Sequence, residues 1–207
     1  MTTTEKDPPY AWNNSNGAGV DSDSLTAFQR LVRTRRSVRR FLDRPVEREK
    51  LLACAEAARL APSAENVEPW RFVILDDPEL KRRFAEAAFS GIYRPTRWAA
   101  RAPVLVAILA RPDIFANRIG KQIQGTNYYL IDIGIAGEHF VLQAHELGLG
   151  TCWIGWFHEK KARKALGLSR KYKVVSLLAV GYPEPREPKP KKRRALEEIV
   201  FFNDVPK

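Results

Sequence analysis

The chain has 207 residues, 44% of them hydrophobic, and 35 Lys plus Arg against 24 Asp plus Glu give a formal net charge of +11. That excludes wholesale disorder and fits one domain able to bury a core. The longest apolar runs, Val104–Ala110 and Val174–Val180, are far short of the roughly 18 residues that a membrane span needs, no apolar signal core opens the sequence, and two cysteines make no disulfide framework.

A cytoplasmic protein is the expectation. Residues 1–24, with Pro8-Pro9, Asn13-Asn14 and Gly17-Ala18-Gly19, read as a flexible tail ahead of one domain over 25–207. Ser24 is the expected N-cap of a first helix over Leu25–Thr34, where Leu25, Phe28, Leu31 and Val32 mark one side. A second helix over Glu47–Leu60 must stop before Pro62. Arg71–Leu75 reads as a strand, and Asp77-Pro78-Glu79 as the start of a helix running to about Phe89. Ser90–Ala102 reads as loop with a helical turn, Pro103–Ala110 as a strand covered on both faces, and residues 111–124 as ambiguous.

A long helix over Asn127–Leu147 stops at Gly148. Leu130, Ile133, Ala136, Phe140, Val141, Ala144 and Leu147 form its stripe, while Tyr128, Ile131, Ile135 and Leu142 populate another side. A helix apolar nearly all round is buried in a large core or against a partner subunit; in a domain this size a dimer interface is favoured. Thr151–Ile154, a helix over Glu159–Leu166 ending at Gly167, and the strand Lys173–Val180 follow. From Pro183 the chain reads as an extended arm ending in Leu196–Phe202, apolar enough to need burial. Intermixed strands and helices make the class α+β or α/β.

The charge is uneven: residues 1–24 sum to −3, leaving +14 for the rest. Two clusters dominate, Arg30–Lys50 with nine bases and three acids, and Arg186–Arg194 with six bases and one acid. Such clusters attract phosphate on nucleic acid, a nucleotide cofactor or a membrane surface, or simply face water. His139, His145 and His158 lack the spacing of a metal site. Cys152, between Thr151 and Trp153 in an apolar strand, reads as a buried structural thiol rather than a nucleophile. No nucleophile elbow, Walker loop or G-x-G-x-x-G fingerprint occurs.

Two motifs carry chemistry. Arg35-Arg36-Ser37-Val38-Arg39-Arg40-Phe41 offers guanidinium forks and a hydroxyl, the donors that bind phosphate oxygens. Pro62-Ser63-Ala64-Glu65-Asn66-Val67-Glu68-Pro69-Trp70 is a proline-stiffened loop in which Asn66 presents both a donor and an acceptor. About 25 residues apart and in this order, the two resemble the R-x-S-x-R/K-x-F and P-S-x-x-N-x-Q-P-W elements of the nitroreductase family of FMN-dependent flavoproteins. The resemblance continues through His139–Gly148, Gly150–Gly155 and Lys191–Ile199, and so covers about residues 25–203.

The resemblance implies an α+β, three-layer α-β-α fold with a mostly antiparallel central sheet, a homodimer with exchanged C-terminal arms, FMN as cofactor and NAD(P)H as reductant. It assigns Arg35, Arg36 and Ser37 to the FMN phosphate and ribityl chain, and Arg39 to the N1/C2-carbonyl edge of the flavin. Pro62, Ser63 and Asn66 would come from the second subunit. Gly155 and Trp156 would stand at flavin N5, and Lys191 and Arg193 would return to the phosphate. No side-chain acid or base is required, so no catalytic residue is assigned. Glu68 stands where the family usually has Gln, and Ala64 replaces a frequent second serine. The implied reaction is ping-pong reduction of nitroaromatics, quinones or activated alkenes. Reductive dehalogenation or flavin fragmentation is the alternative within the family; a basic nucleic-acid-binding module is the alternative outside it, and the bases do not interleave with aromatics as a stacking platform would. The sequence leaves the role of Ser90–Gln124 open.

Overall fold

Val104–Ala110 is apolar at every position, and every one of its seven residues is buried. Side chains of a strand point alternately to opposite faces, so a strand buried throughout must lie inside a sheet covered on both sides. In the computed structural model, residues 25–111, 125–187, 191–203 and 205 are described. The tail expected over 1–24, its Ser24 cap, and nearly all of the ambiguous stretch at 112–124 lie outside them. The chain divides into two compact units, Arg35–Glu184 and the two flanking segments.

Within Arg35–Glu184, four strands form one sheet: β1 (Trp70–Leu75), β2 (Val104–Ala110), β3 (Gly150–Ile154) and β4 (Lys173–Gly181), in the order β1-β2-β4-β3. All three pairings are antiparallel, as expected. Val104 pairs with Val180 and Trp70 with Ala110, and a bulge interrupts the β2–β4 ladder between Ile108 and Leu109.

One face of β2, Val104, Val106, Ile108 and Ala110, packs with Leu51, Cys54 and Ala58 of α2 (Arg48–Arg59) and Ile133, Ala136, Phe140 and Val141 of α4 (Tyr128–Glu146). The other face, Leu105, Ala107 and Leu109, packs with Phe84, Ala85 and Ala88 of α3 (Pro78–Ala88) and Ala162 of α5 (Glu159–Ala165). This is the expected α-β-α layering. Each large apolar side chain fully buried this way contributes about 1.5–3 kcal/mol.

The helix signals act as the sequence chemistry requires. Asp77 accepts from the Leu80 amide at 2.7 Å with Pro78 at the first helical position. At the other end of α4, Gly148 adopts φ 76° and the Leu149 amide closes on the Ala144 carbonyl at 2.8 Å. Two expectations change. Ser90–Ala102 is not a loop with one turn but a run of 3₁₀ turns over Gly91–Arg101 that buries Ala99. The apolar stripe of α4 is buried at Ile133, Ala136, Phe140, Val141 and Ala144, whereas Leu130 and Ile131 are 42% and 51% exposed within the single chain.

In the other unit, α1 spans Ala27–Thr34. It begins with a reciprocal capping box: the Gln29 amide donates to Thr26 Oγ1 (3.2 Å) and the Thr26 amide to Gln29 Oε1 (2.9 Å). Thr26 therefore caps the helix, which starts two residues later than its apolar pattern predicts. Lys191 Nζ donates to the Val32 carbonyl at 2.8 Å. Leu196–Glu198 is a single 3₁₀ turn, and Leu196, Ile199 and Phe202, expected to need burial, are exposed within the single chain. Among the described residues no helix is long and apolar enough to cross a membrane.

Candidate functional site

β3 lies at the edge of the sheet, with β4 on one side only. Its free edge is taken by the segment carrying the arginine motif: Ser37 bridges Thr151 in parallel, and the Val38 amide donates to the Thr151 carbonyl at 2.8 Å. The approach depends on Gly150, where a Cβ would lie 2.7 Å from Val38 Cγ2. Farther on, Phe41 bridges Pro183, and the Leu42 amide donates to the Tyr182 carbonyl at 2.8 Å. Residues 35–42 are thus pinned at both ends to the body, with Arg35, Arg36 and Arg39 projecting from an extended backbone.

Arg35 and Arg39 each have a neighbour that fixes their direction. Arg35 Nε lies 3.8 Å from Glu138 Oε1, and the other oxygen of Glu138 accepts the Trp153 indole N–H at 3.2 Å. Glu138 on α4 therefore braces Arg35 against β3. The Arg39 guanidinium lies over the Trp98 ring at 5.9 Å. The side chain of His145, the next-to-last residue of α4, has its pKa held down to about 4 by burial and by the charges of Arg35 and Arg36, so it is neutral at pH 7. Cys152 beside them is buried, and desolvation raises its thiol pKa although Arg39, Ser37 and Arg35 pull the other way. Its reading as an inert structural thiol fits this setting.

At the far end of β3 the chain leaves the sheet through Gly155 and Trp156, both exposed. A Cβ on Gly155 would meet no atom within 4 Å. Trp156 is 54% exposed but fixed: its indole N–H donates to the Ile92 carbonyl (3.3 Å), its carbonyl accepts from Thr96 Oγ1 (2.8 Å), and its ring leans on Tyr93 at 5.1 Å. The 3₁₀ run over Gly91–Arg101 thereby supplies Trp98 and Tyr93 to the two ends of this strip.

The loop 62–68 is built separately. Glu65, Asn66 and Glu68 take φ values of 51°, 55° and 45°, left-handed for three non-glycine residues. The Glu68 amide donates to Ser63 Oγ and the Ala64 amide to Asp132 Oδ1, both at 3.0 Å. Asp132 is 3% exposed, and burial raises its carboxyl pKa. Its Oδ2 has no hydrogen-bond partner among the described residues. This loop is attached to the N-terminal half of α4, whereas Arg35 meets Glu138, six residues or about 9 Å farther along the helix.

The structure thus brings Arg35, Arg36, Ser37 and Arg39 to the same β3 edge whose end carries Gly155 and Trp156. Pro62, Ser63 and Asn66 form a second group, and Lys191 and Arg193 belong to the other unit, where Arg193 donates to the Lys192 carbonyl at 2.8 Å. Three residues that sequence reasoning missed stand out: Glu138, His145 and Asp132. A signal existed for Asp132, an acid standing among Tyr129, Ala136 and Phe140 at helical spacing on a buried stripe. Among the described residues no cluster of three or more His, Cys, Asp or Glu forms a metal cage.

A family model described as "Nitroreductase family" matches residues 32–182. A protein of Thermus thermophilus named NADH dehydrogenase is 30% identical over 194 residues, covering 81% of this chain and 92% of its own. An iodotyrosine deiodinase of Thermotoga neapolitana is 28% identical over 187 residues, covering 84% and 96%. The solved structure of an FMN-dependent nitroreductase from Clostridium difficile R20291 is 28% identical with a TM-score of 0.68, covering 84% of this chain and 98% of that one.

Proposed function

The chain belongs to the nitroreductase family of oxidoreductases, and from that premise we propose that it is an FMN-dependent enzyme that uses NAD(P)H to reduce nitroaromatics, quinones or activated alkenes. The observation that carries the reading is the parallel bridge between Ser37 and Thr151. It lays a guanidinium-rich segment along the strand that leads directly into Gly155, so that phosphate donors and an open backbone position share one strip.

The residues suit the cofactor. Arg35 and Arg36 offer fixed cations and Ser37 a hydroxyl for a phosphate dianion, with bidentate geometry available to the guanidinium forks. Arg39, steadied by Trp98, is the cation for the electron-rich edge of the isoalloxazine, where a preorganised charge stabilises the reduced form. The bare Gly155 leaves room for a planar ring to approach the backbone, and Trp156 walls the open side. Pro62, Ser63 and Asn66 serve the neighbouring site of a homodimer. FMN supplies a carrier that accepts hydride from one partner and gives it to the next; the protein binds, orients and tunes, and needs no side-chain acid or base. The exposed Leu130 and Ile131 of α4 and, in the other unit, Leu196, Ile199 and Phe202 are the surfaces the second subunit covers.

Purified protein should be yellow, bleach under anaerobic NADH or NADPH, and recover colour with a nitroaromatic or quinone. Protein that is colourless and takes up no FMN overturns the reading. A second reading, reductive dehalogenation, is favoured by the deiodinase relative; halide release from a halotyrosine under anaerobic reducing conditions, with no turnover of nitroaromatics, would replace the first reading with it.

A further inference from the structure

We propose that Asp132 is the positioning residue that sets the backbone of loop 62–68 and so aims Asn66; for what Asn66 meets, this rests on the FMN reading. Left-handed backbone sets the Cβ of a non-glycine residue against its following carbonyl, and such conformations persist only when their surroundings over-determine them. Three such residues occur within Glu65–Glu68. The Asn66 amide to the Ser63 carbonyl (3.1 Å), the Val67 amide to the Ala64 carbonyl (3.2 Å) and the Glu68 amide to Ser63 Oγ (3.0 Å) are all local. Arg71 of β1, three residues on, donates to the Glu68 carbonyl at 3.1 Å, and among the described residues the long-range hydrogen bond that ties residues 62–68 to another element is the one from the Ala64 amide to Asp132 Oδ1, at 3.0 Å across 68 residues of sequence.

Asp132 is also an expensive way to fill its position. It stands on the buried stripe of α4, 3% exposed, with Oδ2 unpartnered among the described residues, a place where an apolar side chain of similar volume would cost nothing in desolvation. Ala64 is the first residue of the 3₁₀ turn that carries Asn66. Fixing its amide therefore fixes where the turn starts, and the turn fixes the direction in which the Asn66 amide group is offered.

The test compares Asp132→Asn, which keeps a carbonyl acceptor for Ala64, with Asp132→Leu, which keeps volume and loses the acceptor. FMN affinity is measured by quenching of flavin fluorescence, and amide exchange over residues 61–68 by mass spectrometry. Wild type and D132N should bind FMN within about twofold of one another, while D132L weakens binding on the order of tenfold and speeds exchange in the loop. D132L combined with Asn66→Ala should bind no more weakly than N66A alone. Equal losses in D132N and D132L, unchanged affinity in D132L, or additive losses in the double variant each overturn the proposal. So does rapid exchange of the Ala64 amide in the wild type, a result that stands even if D132L does not fold. If wild-type protein takes up no FMN, the cofactor reading fails by itself, and the exchange comparison still decides whether Asp132 holds the loop.

Discussion

The Trp153 ring lies across Gly137 of α4 so closely that a Cβ on Gly137 would stand 2.1 Å from the ring's Cη2 atom, and the indole N–H is tied to the next residue, Glu138. The ring is a rigid plate held by its hydrogen bond, so an added methyl must move helix or strand. Overpacking of this kind costs about 1–3 kcal/mol, against about 0.5–1 kcal/mol gained by removing a glycine from a helix. Gly137→Ala should lower the melting temperature by several degrees, while Gly134→Ala, with nothing within 4 Å of the new atom, should raise it slightly. Paired thermal melts check this; equal effects at the two positions would refute it.

The phosphate cations should tolerate no simple exchange. Arg35→Ala should weaken FMN binding by about tenfold or more, and Arg35→Lys should recover little of it, because an ammonium is a point charge without the bidentate fork that matches phosphate oxygens. Titration with FMN at two ionic strengths reads both the loss and its screening.

Acid stability should depend on Glu47. Tyr182 donates its hydroxyl to Glu47 Oε2 at 2.6 Å, Lys50 donates to Tyr182 at 2.8 Å, and Arg44 lies 3.1 Å from Glu47. The Tyr182 bond, first among these causes, holds Glu47 down to about 2 from 4.5. A depressed carboxyl stabilises the fold above its unfolded pKa, and that stability is lost as pH falls from 4.5 towards 2. In Tyr182→Phe the melting temperature should fall less steeply across that window, starting from a lower value at neutral pH.

His145 works in a neighbouring window with the same sense. Burial, followed by Arg35 and Arg36, depresses it to about 4 from 6.5. The unfolded chain therefore takes up the proton first, and stability declines as pH falls from 6.5 towards 4. His145→Gln should flatten melting curves in that range and leave the region below 4 unchanged. A slope that survives the substitution would assign the effect elsewhere.

The strands and several helix ends were legible because they are written in local chemistry: the seven apolar residues of β2, the Asp77-Pro78 start, the Gly148 stop. The arginine motif and the asparagine loop were legible as types of residue in order. Their geometry was not. Nothing near Arg35 in sequence announces Glu138, because that brace is assembled by packing α4 on β3 through Gly137. The 3₁₀ run over Gly91–Arg101 escaped because its period of three matches neither template used to read a helix or a strand. The start of α1 moved to Thr26 because a side-chain hydrogen-bond pair outweighs an apolar stripe in deciding where a helix begins.

The completely interior β2 strand also shapes how the chain reaches its fold. Its partners come from distant parts of the sequence, Trp70 meeting Ala110 and Val104 meeting Val180, so loop-closure entropy must be lost before the ladder gains anything, and assembly of the sheet should be the slow step. Until then Val-Leu-Val-Ala-Ile-Leu-Ala is an uncharged β-forming segment of the kind that seeds cross-β association. Arg101 and Arg111 stand on its two sides, where a charge interrupts intermolecular stacking. In the folded protein they look like ordinary surface arginines; during synthesis and refolding they are the sentries of the sheet's centre.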